Sequence, residues 1–206
     1  ENCGACNNAC EDTNASKILC IAGACAYECK ENTQLCEGHC RDLSEDDENC
    51  GACGHACTDG ATCQKGFCTI PLNKCVEGYV TTTVNDKPIK AYCVRSELEL
   101  EAIRNNINAG SKYPADNTDN AYILMKDLDL GTRDWSPIGY GHAFTGTFLG
   151  NGKSITGKLT THGSHVGLFG IITGSYIDNL NLNIDLTANG QYIENIGALV
   201  GFIYNS

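Results

Sequence analysis

The residues best placed to do chemistry in this chain are its 15 cysteines. Fourteen lie within residues 1–75: Cys3, Cys6, Cys10, Cys20, Cys25, Cys29, Cys36, Cys40, Cys50, Cys53, Cys57, Cys63, Cys68 and Cys75. Cys93 stands alone beyond them. A thiolate can hold a metal or close a disulfide, and spacing discriminates between the two. Cys3-x2-Cys6 and Cys50-x2-Cys53 have the spacing that grips one zinc or iron ion, yet the neighbouring gaps are of three and four residues and supply no matching second pair. Disulfides made in an oxidising compartment are what this density supports, so all 15 positions are read as disulfide candidates. A free thiol or an intermolecular bridge is the alternative for the odd one. No metal and no cofactor is expected.

Other chemistry-bearing residues are few. Asp127, Asp129 and Asp134 near Arg133 have the makings of a calcium cluster or of a glycosidase carboxylate pair. They belong, however, to an alternating strand that turns its acids to water. His162 and His165 lie in a Gly/Thr turn and lack the H-E-x-x-H spacing of a zinc peptidase. Serine nucleophile elbows, phosphate-binding loops and dinucleotide fingerprints are absent. No catalytic residue is assigned, and the chain is expected not to be an enzyme. Asn14-Ala15-Ser16 is an internal glycosylation sequon.

Composition dictates which elements position these groups. Residues 1–75 contain only eight Leu, Ile, Val or Phe, whereas residues 76–206 contain 35. The first stretch cannot build a hydrophobic core and must be cross-linked. A net charge of -11 with no basic run excludes nucleic acid as a partner. The longest apolar runs, 166–172 and 196–204, are interrupted by glycine and fall far short of the roughly 20 residues that span a bilayer. The start at Glu1 has no signal-peptide character, so a processed mature form or a segment of a longer protein is expected.

The cysteine-rich stretch repeats itself. Glu1-Asn2-Cys3-Gly4-Ala5-Cys6-Asn7-Asn8-Ala9-Cys10 returns 47 residues later as Glu48-Asn49-Cys50-Gly51-Ala52-Cys53-Gly54-His55-Ala56-Cys57, each followed by a C-x4-C pair, Cys20/Cys25 and Cys63/Cys68. A unit running from Cys29 to Cys68 has eight cysteines, an even set able to close on itself. The first copy keeps only five, which suggests that three lie upstream of residue 1. Cys36-Glu-Gly-His-Cys40, Cys50-Gly-Ala-Cys53-Gly-His-Ala-Cys57 and Gly60-Ala-Thr-Cys63-Gln-Lys-Gly-Phe-Cys68 resemble the stigma-specific cysteine-rich family, well over 29–68 and partly over 1–25. That resemblance implies an extracellular module without catalytic residues.

Past Cys75, two β-rich runs (76–84 and 89–93) flank a turn cluster at 85–88, so a hairpin is expected to bring Cys75 to Cys93 and clip the two domains together. Ser96-Glu97-Leu98-Glu99 reads as a capping box opening a helix, with Leu100, Ile103 and Ile107 on one face and Gly110 as the stop. Its early glutamates suit the positive end of the helix dipole. From Ala121 onward, short β runs alternate with Gly and Asn. Val166-Gly-Leu-Phe-Gly170 recurs as Ile196-Gly-Ala-Leu-Val-Gly201, a spacing of 31 from Gly170 to Gly201. Spacing alone gives β repeats; recurring strands with glycine corners and almost no helix fit a parallel β-solenoid.

Tyr122-Ile-Leu-Met-Lys-Asp-Leu-Asp-Leu130, Trp135-Ser-Pro-Ile-Gly139, Phe144-Thr-Gly-Thr-Phe148 and Val166-Gly-Leu-Phe-Gly170 resemble the Gly-Leu-aromatic-Gly repeat domains of bacterial surface proteins. This resemblance implies a right-handed parallel β-helix. The expected fold class is thus mainly β, with a disulfide-rich repeat module over 1–75, a hairpin connector over 76–93 and a β-helix with one short helix over 94–206. The expected function is structural or adhesive, in a secreted or cell-surface protein whose partners are other protein chains, copies of itself included, or surface glycans. A carbohydrate-active β-helix enzyme and an accessory region of a secreted peptidase are the alternatives. Residues 196–204 begin a further repeat, so the chain is expected to continue past Ser206 or to pack there on a second copy.

Overall fold

A computed structural model describes residues 3–4, 9–58, 60–189 and 192–204. The protein is mainly β, with one short α-helix and a disulfide-rich N-terminal part. It divides into two compact units, Glu1–Ile70 and Pro71–Ser206.

The first unit is built from three antiparallel hairpins: β1 (Ala15–Ile21) with β2 (Ala24–Cys29), β3 (Gln34–Cys36) with β4 (His39–Arg41), and β5 (Thr62–Gln64) with β6 (Phe67–Thr69). Their two-residue turns, Ala22-Gly23, Glu37-Gly38 and Lys65-Gly66, have positive φ at both positions. A turn of that kind follows the right-handed twist of the strands, which is why a short X-Gly suffices to reverse the chain.

The second unit opens with another hairpin, β7 (Tyr79–Val84) and β8 (Lys87–Val94), turning at Asn85-Asp86. Its first strand starts at Tyr79 and not at Val76, because Val76 and Tyr79 exchange backbone hydrogen bonds of 2.8 and 2.9 Å in a tight turn of their own. Cys75 and Cys93 are bridged. Both belong to the second unit, so this disulfide staples the hairpin internally and does not join two domains.

Helix α1 (Glu97–Asn108) follows, capped by the Ser96 hydroxyl, which accepts a 3.2 Å hydrogen bond from the Glu99 N–H. The Glu99 carboxylate does not return to Ser96 as a capping box would have it. It accepts from the Arg95 N–H (2.6 Å) and the Tyr92 hydroxyl (3.1 Å) and pairs with the Arg95 guanidinium. Leu100, Ile103 and Ile107 are buried. Glu97 accepts from the Asp129 N–H, and Glu101 pairs with Arg133. These glutamates therefore fasten the helix to its neighbours as well as favouring its dipole.

The remaining strands are β9 (Ala121–Leu124), β10 (Leu128–Trp135), β11 (Thr147–Leu149), β12 (Ser154–His162), β13 (His165–Val166), β14 (Phe169–Thr173), β15 (Tyr176–Asp178), β16 (Asn181–Asn189), β17 (Asn195–Ile196) and β18 (Val200–Tyr204). They pair in parallel: β8-β9-β11-β15, β10-β12-β16, β13-β17 and β14-β18. The sheets are short, and the five-stranded one is mixed because β7 runs antiparallel at its edge. Partners recur at nearly constant intervals. Tyr122 lies beside Phe148 and Phe148 beside Ile177; Leu128 lies beside Ile155 and Ile155 beside Leu182; Phe169 lies beside Val200.

Stacking like positions this way piles apolar side chains into one core. Phe144, Phe148 and Phe169 form a ring cluster with centroids 5.3 and 5.4 Å apart about Phe169. Trp135 is buried with its indole N–H on the Leu168 carbonyl (3.1 Å), and the Arg104 guanidinium lies 4.6 Å over its ring. Buried polar groups are paired where the chain bends: Asn151 donates to the Leu124 carbonyl, and Asn117 brackets Ala121 with both ends of its amide. Beside the hairpin, Tyr92 meets Tyr79 and Tyr113 edge-on at 5.5 and 5.7 Å. Burial, with the Glu99 carboxylate beside it, pushes the Tyr92 phenol up to about 12. Burial and the Asp116 carboxylate, 2.7 Å away, raise Tyr79 as well.

Two outcomes follow for the full chain, with Trp135, the single tryptophan, as the probe. Phe148→Ala removes a ring from the centre of the column and is expected to cost about 3–5 kcal/mol by denaturant titration. For pH the sign is fixed by the phenols. Both ionise near pH 10 in the unfolded chain, which then releases protons that the folded state still holds, so stability falls above about pH 10. Tyr92 contributes to that fall up to about pH 12. Tyr92→Phe should reduce the slope, and an unchanged slope in that variant would count against the assignment.

Candidate functional site

In the first unit the cysteines act as architecture. Among the described residues the disulfides are Cys3–Cys20, Cys10–Cys25, Cys29–Cys40, Cys36–Cys53, Cys50–Cys63 and Cys57–Cys68, with Cys75–Cys93 in the second unit. Cys6 lies outside the described residues. The eight cysteines from Cys29 to Cys68 close on one another. The first copy bonds as the second does, Cys3–Cys20 matching Cys50–Cys63 and Cys10–Cys25 matching Cys57–Cys68.

Hairpin geometry explains this pattern. A C-x4-C pair around a two-residue turn sets the two cysteines directly opposite each other on one face: Cys20 faces Cys25, and Cys63 faces Cys68. Neither pair bonds to itself. Each reaches back to clamp the Cys-Gly-Ala-Cys loop that precedes it. In the C-x3-C pair the register is one residue out, with Cys36 opposite His39 and Cys40 opposite Leu35. Their side chains leave opposite faces and bond in different directions. Glycine permits the clamp to close, since a Cβ on Gly51 would sit 2.5 Å from the Gly66 carbonyl oxygen and one on Gly4 would sit 2.2 Å from that of Gly23. Sulfurs gather where an ordinary domain has hydrocarbon: those of Cys50, Cys57 and Cys68 lie within 4.8 Å of one another, as do those of Cys3, Cys10 and Cys25. Each is half of a disulfide and carries no thiolate charge with which to hold a metal.

Carboxylates do the remaining work there. Asp42 accepts from the Ser44 hydroxyl and N–H, which hold its carboxyl below the usual range. Asp46 accepts from Glu48 and Asn49, and Asp47 from the Cys63 N–H at 2.5 Å. Asp46 and Asp47 of the acidic loop at 44–48 thus act as backbone caps. Asp12 takes the Cys40 and Asn14 N–H groups at 2.7 and 2.9 Å, with His39 at 3.6 Å. Burial pushes its carboxyl up, but the two N–H donors and His39 together outweigh that and hold it low. The sequon Asn14 is half-buried and donates its side-chain N–H to the Cys40 carbonyl, so in the folded unit that amide is an internal tie.

In the second unit the suspected acids are not brought together. Asp127 accepts from both the N–H and the hydroxyl of Ser154 (2.7 and 2.8 Å). Asp129 accepts from the Gly131 N–H and the Thr156 hydroxyl. Arg133 turns away from Asp134 to pair with Glu101. His162 contacts the Asn189 carbonyl, while His165 meets the Asn195 amide and stacks on Phe202 at 5.1 Å. Each group is used locally.

A concave surface of different composition lies on the outward face of β10-β12-β16. Two rows of side chains cross the strands: Asp129, Thr156 and Asn183 in one, Thr132, Lys158 and Asp185 in the other. Gly131 and Gly157 leave a groove of about 310 Å³ between them. β10 carries one extra residue between Asp129 and Thr132, which shifts its register there and helps to open the groove. Lys158 lies 3.7 Å from Asp185. Sequence reasoning had singled out only Asp129. The signal for the rest was the interval that separates Leu128, Ile155 and Leu182, which also carries Asp129 to Thr156 and Thr156 to Asn183.

With this geometry in hand, comparison with known proteins assigns part of the chain. Residues 1–71 match the Stigma-specific STIG1-like protein family. The match takes in both copies, the one at 29–68 and the partial one at 1–25. It reaches the end of the STIG1-like unit and does not extend into the strands beyond it. No curated protein and no solved structure matches the chain. The match over residues 1–71 and the density of disulfides are both consistent with secretion. Among the described residues no helix is long and apolar enough to cross a membrane.

Two variants test the clamp. Cys57→Ser/Cys68→Ser in the full chain is expected to cost the STIG1-like unit about 2–5 kcal/mol, read as rapid proteolysis before residue 70 while Trp135 fluorescence stays native. Gly51→Val, which pushes a side chain into the Gly66 carbonyl, should act in the same direction; protease resistance equal to the parent would contradict the clamp.

Proposed function

We propose that the protein is a non-catalytic secreted or cell-surface component, in which a STIG1-like disulfide unit precedes a right-handed parallel β-solenoid that displays a surface for adhesion or assembly. The observation that carries the solenoid is parallel pairing along β9-β11-β15, β10-β12-β16 and β14-β18 at once, with partners 26 to 31 residues apart in each. Successive returns of one chain, each laying a strand on each face, account for all of these with a single rule. The Gly-Leu-aromatic-Gly motif fits the same rule, since the register that sets Phe169 beside Val200 also aligns Gly170 with Gly201.

Binding is favoured over turnover by how the candidate catalytic groups are spent. Asp127, Glu99, Glu101 and His162 are each tied to a backbone group or to a neighbouring charge. A rigid, repetitive, hydroxyl- and amide-rich face is suited to holding an extended partner.

The full chain, immobilised through its N-terminus, should retain cell-wall material or intact cells and release no reducing sugar ends over time. Failure to retain any such material would overturn the adhesive reading, and steady release of reducing ends would replace it with the carbohydrate-active one.

A further inference from the structure

We propose that the outward groove of β10-β12-β16 is a polysaccharide subsite, taking an extended, uncharged glycan that lies across the three strands. The proposal rests on the adhesive reading and names its ligand class. Neighbouring strands in a sheet are about 4.7–4.9 Å apart, close to the advance of one sugar ring in an extended β-linked chain. Each row therefore offers a glycan one polar contact per ring, over three strands. Asp129 and Asp185 accept from sugar hydroxyls, Lys158 donates to hydroxyl or ring oxygens, Thr132 and Asn183 do both, and Thr156, whose hydroxyl proton goes to Asp129, accepts.

Three observations select this class. The lining carries no large apolar or aromatic side chain, whereas a protein partner is anchored by buried aromatic or aliphatic residues. Two carboxylates against one ammonium, on a chain of net charge -11, disfavour a polyanion such as a pectin or a nucleic acid. One acceptor is also held in advance: Asp129 is fixed by the Gly131 N–H at 2.9 Å and the Thr156 hydroxyl at 3.3 Å. Fixing it beforehand lowers the ordering cost that a weak, polar ligand has to overcome. The groove runs between the rows at the level of Gly131, where a Cβ would meet nothing within 4 Å, so open space is already present for a ring.

The test is calorimetric titration of the full chain with cellohexaose, chitohexaose and oligogalacturonate, alongside Asn183→Trp and Thr132→Arg, which fill the groove from exposed positions. Lys126→Ala, on an exposed loop elsewhere, is the control. Expected is saturable binding of at least one of the two uncharged oligomers, weakened about tenfold or more in both groove variants and unchanged in the control. Trp135 fluorescence in the variants should remain native, separating loss of binding from loss of fold. Equal binding by parent and groove variants overturns the subsite while leaving adhesion in place. Preference for oligogalacturonate overturns the ligand class. If neither uncharged oligomer binds a chain that still retains cell-wall material, the subsite is wrong and the adhesive reading stands; if that retention also fails, both fall.

Discussion

Parallel pairing between strands 26 to 31 residues apart is the constraint from which the second unit follows. Once Leu128 lies beside Ile155 and Ile155 beside Leu182, the positions along those strands follow in register, displaced by one residue on β10 past its bulge after Asp129. Side chains alternate across a strand, so inward positions become apolar columns and outward positions become polar rows. The columns explain why Ile155 and Phe169 can be fully buried in sheets only three or two strands wide. The rows explain how Asp129, Lys158 and Asp185, far apart in sequence, come to line one groove.

The first unit solves the opposite problem. With few aliphatic side chains it cannot gain enough from burial to offset the entropy of ordering its loops. Disulfides restrict the unfolded chain instead, and three hairpins supply the rigid pieces between them. Asp46 and Asp47 of the acidic loop then satisfy backbone N–H groups that the loop leaves open, as Asp47 does for Cys63. In this unit a high density of acids and cysteines, which elsewhere would suggest a metal site, is consumed by holding the backbone.

Helix α1 shows how local and tertiary demands share the same residues. Ser96 caps it by local geometry alone. Glu99, the residue a capping box would spend on Ser96, goes to Arg95 four residues before it and also to the Tyr92 hydroxyl, a partner that β8 supplies through packing. Glu101 finds Arg133 on β10 for the same reason.

By itself the sequence determined what depends on composition and short spacing. Eight aliphatic or Phe residues in the first 75 required cross-links, and Ser96 with Leu100, Ile103 and Ile107 required the helix. The hairpin between Cys75 and Cys93 was legible for the same reason, since its turn is local. Which cysteine bonds to which in the first unit was not, because Cys63 and Cys68 face each other yet bond to Cys50 and Cys57, and that depends on where a loop folds in three dimensions. The unit boundary at Ile70 and the internal role of the Cys75 bridge were likewise decided by packing. The groove was hidden too, since Asp129 looks like one acid of an alternating strand until register sets it in a row with Thr156 and Asn183. Spacing along a chain fixes which face a side chain takes within its own strand; only pairing between strands decides which residues of distant segments share that face.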